Sequence, residues 1–370
     1  MQKNSLCGLY IHIPFCLRKC PYCDFYSIPI DDAAADMYTN AVCASITSGV
    51  FVPGSIDTIY FGGGTPSIFG AKRLGKILDT AAKSFDICTN AEITLEANPA
   101  PSSEKRLGDF KSAGFNRISI GVQSAADSEL LALGRPHNAD NAKAAVMDAY
   151  TSGFDNISCD LMLGIPSQTE KSMLYSIDFL AALPITHVSS YLLKIEEGTA
   201  FEKSGIAKIC PDEDMAADLY LACVERLSEL GFAQYEISNF AKNGKKSRHN
   251  LKYWELAPYL GIGPGAHSFL GGKRFYFPRD IAEFTANPTR FICDNTESGG
   301  FEEYAMLRLR LSEGLCLEEA NNIYNANPDD ILHKADVFIK NGMAIYKNGH
   351  LSLTPRGFLL SNTIINAIML

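Results

Sequence analysis

Residues 10–27 read YIHIPFCLRKCPYCDFYS and place Cys16, Cys20 and Cys23 in a C-x3-C-x2-C pattern. Thiolates are soft ligands that suit zinc, copper(I) or iron–sulfur clusters. A structural zinc site closes on four ligands, and this loop supplies three. Phe25 stands two residues on, where a fourth thiol would complete the set, and His12 lies on the strand before the loop. The donors leave two readings open. One is a zinc site completed from elsewhere. The other is a cubane [4Fe–4S] cluster whose fourth iron stays free for a ligand with nitrogen and oxygen donors.

Further residues suited to binding are spread along the chain. GGGTP (62–66) lets a ligand approach the backbone closely, and no GK[ST] follows to make it a P-loop. Glu96 and Asp160 could pair with a ligand amine or accept from ribose hydroxyls. Gln123 adds a polar contact, and Arg135, in GRPH, is the natural partner of a ligand carboxylate. Tyr22, between the last two cysteines, could stack on a base. RHNLKYW (248–254) sets His249 beside Asn250, Tyr253 and the single tryptophan, Trp254. Such a histidine is either a heme axial ligand or a structural residue.

These residues can act together only if the elements between them bring them together. Strand-like runs occur at 8–13, 56–61, 92–97, 116–121, 156–162 and 187–193. Amphipathic helical stretches near 33–49, 70–84, 103–113, 138–152, 170–182 and 212–230 alternate with them, several ending at Gly114, Gly153 or Gly231. This alternation predicts parallel βαβ units. Six units imply an α/β fold, an incomplete (β/α)6 TIM-like barrel. The cysteine loop, GGGTP, EANP (96–99), GVQS (121–124) and GIPSQT (164–169) each follow a strand. In a parallel barrel those ends share one face.

The alternation stops near residue 232. The reading is a core barrel over 1–231, a Gly- and aromatic-rich extension over 232–298 and a small α+β domain over 299–370. That last part reads as three helices (302–312, 317–324, 329–341) and a hairpin, MAIYKNGHLSLT, turning at Asn-Gly, which resembles a winged helix. From residue 300 on, six Lys and Arg face eight Asp and Glu, so an internal structural or docking role is expected rather than DNA binding.

The chain has 370 residues, 46% hydrophobic and 20% charged, with net charge -9. An acidic balance argues against a nucleic-acid partner. Eleven cysteines, no secretory leader and no apolar run of membrane-spanning length suggest a cytoplasmic protein.

The motifs together resemble the radical SAM superfamily, whose cysteine pattern matches Cys16, Cys20 and Cys23. YIHIPFC, GGGTP, EANP, GVQS, GRPH and DLMLGIPSQT resemble its oxygen-independent coproporphyrinogen III oxidase branch. YLLKIEEGTAF, YEISNFA, RHNLKYW and YLGIGPGAHS are similar to the heme chaperones of that branch, the HemW group. The resemblance implies a [4Fe–4S] cluster whose free iron is chelated by S-adenosylmethionine (SAM). The reduced cluster would then give one electron to the sulfonium and generate a 5′-deoxyadenosyl radical. By position, the SAM contacts would be Tyr10, Tyr22, Gly63, Gly64, Thr65, Glu96, Gln123, Arg135 and Asp160. His249 would be the heme ligand. The oxidases carry a further cysteine where this chain has Phe25, and a longer N-terminal extension. The implied function is heme binding and transfer to acceptor hemoproteins such as respiratory enzymes, with an electron donor for the cluster. Oxidative decarboxylation of coproporphyrinogen III is the alternative.

Overall fold

The computed structural model describes residues 6–99, 107–294 and 298–369. Six parallel strands follow the alternation: β1 (Cys7–Ile13), β2 (Ile56–Gly63), β3 (Ile87–Ala97), β4 (Arg117–Gln123), β5 (Ile157–Leu163) and β6 (His187–Leu192). The crossover helices are α1 (Asp32–Thr47), α2 (Ala71–Ser84), α3 (Leu107–Ser112), α4 (Ala139–Thr151), α5 (Glu170–Ala181) and α6 (Glu213–Glu229). Residues 103–106 of the helix expected before Gly114 lie outside the described residues.

Local chemistry starts these helices where they are found. Asp31 accepts from Ala34 N–H ahead of α1, and Asp212 from Met215 N–H ahead of α6. Asn138 and Thr169 form capping boxes at the starts of α4 and α5.

The expected incomplete barrel is present, with more strands than the alternation implied. The chain continues through β7 (Ala233–Gln234) and β8 (Asn239–Ala241), then the helix α7 (Arg248–Trp254). It goes on to β9 (Tyr259–Ile262), β10 (His267–Leu270), β11 (Lys273–Tyr276) and β12 (Ile292–Cys293). The sheet order is β12-β11-β10-β9-β1-β2-β3-β4-β5-β6-β8-β7, and its two ends do not pair. β9 is parallel to β1 on the side away from β2, a seventh parallel strand, whereas β8 runs antiparallel to β6. The extension is therefore continuous with the barrel sheet. YLGI is too short and too glycine-rich to announce a strand alone; its pairing with β1 makes it one.

Alternation within the strands separates two kinds of surface. Leu9, Ile11, Ile59, Phe61, Leu95, Ile118, Ile120, Cys159 and Leu161 are buried in the main apolar core. The intervening positions, Tyr10, His12, Thr58, Tyr60, Glu92, Glu96, Arg117, Ser119, Ser158, Asp160 and His187, carry polar groups, among which Tyr10 bonds His12, Tyr60 bonds Glu96, Ser119 bonds Asp160 and Ser158 bonds His187. The interior is thus polar and the seam to the helices apolar.

The C-terminal part has helices at Phe301–Arg308, Leu317–Tyr324 and Pro328–Lys340 and a hairpin of Ala344–Lys347 with His350–Leu353. Asn348 (φ 53) and Gly349 (φ 81) turn it in the left-handed region, as a type I′ turn requires. Leu315–Cys316 adds a third strand, and two helices, Pro355–Leu359 and Ser361–Met369, follow the hairpin.

Candidate active site at the barrel mouth

The cysteine loop leaves β1 at its C-terminal end and is fastened to its neighbours by the backbone. Gly64 N–H donates to Ile13 O (2.9 Å) and Thr65 N–H to Phe15 O (2.7 Å). GGGTP is glycine-rich partly for this reason. A Cβ on Gly64 would stand 2.5 Å from the Phe15 carbonyl oxygen, and Gly63 (φ 112) lies against the His12 ring. The loop is held a second time by Phe15–Cys16 pairing with Ile28–Pro29.

Cys16, Cys20 and Cys23 are half-buried and free of disulfides. Burial, and then the nearby Cys20 and Cys16, push the Cys23 thiol up, so the three groups sense one another. Among the described residues no three His, Cys, Asp or Glu side chains are gathered around a single-ion site. A hydrogen-bonded chain runs behind the cysteines. Cys16 Sγ is 3.6 Å from Thr65 Oγ1, and Thr65 accepts from Asn98 Nδ2 (2.9 Å). Asn98 Oδ1 accepts from Arg135 Nη2 (2.6 Å), which also donates to Gly121 O (2.7 Å). Arg135 Nη1 donates to Cys20 Sγ and to Tyr22 Oη, each at 3.4 Å. Three free thiols, one of them touching a cation, are a donor set that fits a three-cysteine cluster.

Deeper in the barrel, Glu96 accepts from Tyr60 Oη (2.7 Å) and from Gly63 N–H (3.1 Å). Burial pushes its carboxyl up to about 7, against those two hydrogen bonds. Asp160 accepts from Ser119 Oγ (3.2 Å), and burial pushes it up to about 6. Arg117, only 2% exposed, opposes both rises and that of Glu92. Tyr10 stacks on Tyr60 with ring centroids 6.1 Å apart, and its hydroxyl lies 3.1 Å from His12 Nδ1. Gln123 takes a left-handed φ of 69, and its amide nitrogen lies beside Gly121. Tyr22 packs near Phe201 at 6.0 Å.

The nine expected SAM positions and the cysteines therefore converge on the C-terminal ends of β1 to β5 or just beneath them. Asn98, Tyr60 and Arg117 were not singled out from sequence. Their signal was available: polar side chains at every second position of strands whose other face is apolar, in a fold with both faces covered.

His249 is elsewhere. α7 closes the opposite, N-terminal end of the barrel. Glu92 Oε1 caps it, accepting from Arg248 N–H (2.9 Å) and His249 N–H (3.2 Å). Asp57 pairs with Lys252 Nζ (2.7 Å) and Arg248 Nη2 (3.2 Å), and Arg248 Nη1 donates to Asn90 O (2.9 Å). The His249 ring is fully buried, with Nδ1 2.9 Å from Thr58 Oγ1 and Nε2 2.9 Å from Tyr253 Oη. It stacks on Tyr60 at 5.3 Å. Burial, then the cations Lys252 and Arg117, bring its pKa down to about 3. Both ring nitrogens of His249, the residue expected as heme ligand, are hydrogen-bonded to hydroxyls.

The radical SAM superfamily matches residues 10–180, and the HemN C-terminal domain matches residues 301–360. The heme chaperone HemW of Escherichia coli K12 is 38% identical over 392 residues, covering 100% of both chains. HemW of Mycobacterium tuberculosis H37Rv is 32% identical, covering 98% of this chain and 94% of that one. HemW of Bacillus subtilis is 33% identical, covering 97% of this chain and 98% of its own. The solved coproporphyrinogen III oxidase HemN of Escherichia coli shares the fold, with a TM-score of 0.81 at 19% identity, over 99% of this chain and 90% of that one. With the cysteine loop, the glycine-rich clasp and the C-terminal part all inside these full-length matches, the chain belongs to the HemW family of the radical SAM superfamily.

Proposed function

We propose that this protein is a heme chaperone that holds a [4Fe–4S] cluster and SAM at the barrel mouth, binds heme, and passes it to acceptor hemoproteins. The observation that carries the reading is the three-thiol loop with Arg135 against Cys20, set over the enclosed carboxylates Glu96 and Asp160. The names of the full-length relatives support the heme part.

In this reading Cys16, Cys20 and Cys23 hold the cluster. Bound there with SAM, it would supply one-electron chemistry. The protein's own groups do the rest. Thr65 and Asn98 brace Cys16, while Arg135 holds Cys20 and Tyr22 and offers charge to a carboxylate. Glu96 and Asp160 receive amine or ribose donors, and Gly63, Gly64 and Gln123 line the approach. An electron donor and the acceptor hemoprotein complete the set of partners. Phe25, 66% exposed, puts an apolar ring where the oxidases carry a thiol.

Transfer is the direct test. Heme-loaded protein mixed with an apo-hemoprotein should yield the acceptor's holo spectrum. Anaerobic incubation with coproporphyrinogen III, SAM and a reductant should yield no protoporphyrinogen. Product formation together with absent transfer would replace this reading with the oxidase.

A further inference from the structure

Arg117 opens β4 and stands opposite Thr94 of β3 in the parallel register. Only 2% of it is exposed. Its Nε is buried without a partner, and so is the neighbouring Thr94 Oγ1. Among the described residues nothing hydrogen-bonds the guanidinium, and no carboxylate stands in ion-pair contact with it. Arg135, at the mouth, makes four hydrogen bonds. A buried cation is costly and is normally paired. One held without a bond contributes through its charge alone.

Three buried carboxylates surround that charge. Glu92 and Glu96 lie two residues to either side of Thr94 on β3, and Ser119, two residues beyond Arg117, donates to Asp160 (3.2 Å). Arg117 favours the ionised form of all three. Glu92 is already engaged by the amides of α7. Glu96 and Asp160 have only neutral donors, and Asp160 pushes Glu96 further up. Few other charges face them. Burial keeps the phenols of Tyr10, Tyr60, Tyr253 and Tyr191 protonated, and keeps His187 and His249 neutral. Lys252 and Arg248 are taken by Asp57 at the floor, and Arg135 faces Asp160 from the mouth.

We propose that Arg117 is a positioning residue for SAM, whose unbonded charge lets Glu96 and Asp160 ionise for a cationic ligand inside a closed barrel. The inference rests on the reading that SAM binds at the mouth. It adds the group that sets the charge of the two carboxylates expected to meet it. Arg117 itself touches neither SAM position, so its effect passes through the other two side chains.

The test is calorimetric titration of SAM into the anaerobically reconstituted chain between pH 6 and 9, for wild type and Arg117→Met. The rise of affinity with pH should move up by about one unit in the variant, because removing a cation raises a carboxylate pKa. Affinity should then fall several-fold near pH 7 and approach wild type near pH 9. Equal weakening at every pH, with the midpoint unmoved, would mean a merely structural role and overturn the proposal. Arg117→Gln, equally uncharged, replaces the methionine variant if circular dichroism shows that one unfolded. Infrared titration of the protonated carboxyl band, without SAM, should show the same upward displacement, and an undisplaced band would also overturn the proposal. Absence of saturable SAM binding in the wild type, with the band still displaced in the variant, would overturn the SAM reading and leave the electrostatic role of Arg117 standing.

Discussion

At the scale of single residues, the mouth depends on groups that cannot be exchanged for near neighbours. Gly64 is fixed by backbone, not by a movable side chain, since its added Cβ would meet the Phe15 carbonyl. Gly64→Ala should therefore cost about 3 kcal/mol or more in thermal or chemical unfolding. Ala at Gly49, where nothing lies within 4 Å, carries only the penalty of its positive φ and serves as the comparison. Glu96 gives a pH prediction. Its folded pKa of about 7 is above the ordinary carboxylate value, so ionisation costs stability as pH rises from about 4.5 through 7. A cationic ligand offsets that cost. SAM affinity, measured by calorimetry, should rise roughly tenfold between pH 6 and 8. Glu96→Gln should flatten the rise, and an equal rise in that variant would remove Glu96 from the SAM site. Tyr60→Phe should instead move the rise to higher pH, because the Tyr60 hydrogen bond lowers the pKa of the same carboxyl.

At the scale of elements, the floor helix α7 is held by charges that are nearly dry. Asp57 and Lys252 are 8% and 6% exposed. Asp57→Ala would strand Lys252 and should destabilise the protein by about 3 kcal/mol, more than Lys340→Ala at an exposed helical pair. His249 contributes stability only while neutral. Its folded pKa of about 3 is below the ordinary 6.5, so its contribution is full above pH 6.5 and is lost as pH falls toward 3. The stability difference between wild type and His249→Gln should narrow between pH 7 and pH 5, as urea unfolding would show. A constant difference would mean that the ring does not depend on its neutral hydrogen bonds. Most elements were legible because each carries its own local signal. Caps precede α1, α4, α5 and α6, and the Asn348–Gly349 turn marks its hairpin. β9 and α7 were not legible as parts of the barrel. A four-residue strand and a seven-residue helix gain their roles from β1, Asp57 and Glu92, which are distant in sequence.

At the scale of the whole molecule, the barrel divides the labour between its two ends. The mouth gathers the three thiols, the glycine-rich loop and Arg135, while the floor is sealed by α7. Between them runs a column in which His249 stacks on Tyr60, Tyr60 bonds Glu96 and Glu96 bonds Gly63. The convergence of the mouth was readable because a parallel barrel collects strand ends on one face. The location of RHNLKYW was not, since a motif after the last crossover carries no instruction about which end it will cover. No helix among the described residues is long and apolar enough to cross a membrane. On the proposed reading, the loop of Cys16, Cys20 and Cys23 should hold a cluster with one iron open to SAM. Electron paramagnetic resonance of the anaerobically reconstituted, reduced protein, recorded with and without SAM, tests it most directly. The account predicts a reduced-cluster signal that SAM reshapes in wild type and that is lost in Cys20→Ser. A signal indifferent to SAM, or near-stoichiometric zinc with no cluster signal at all, would contradict it.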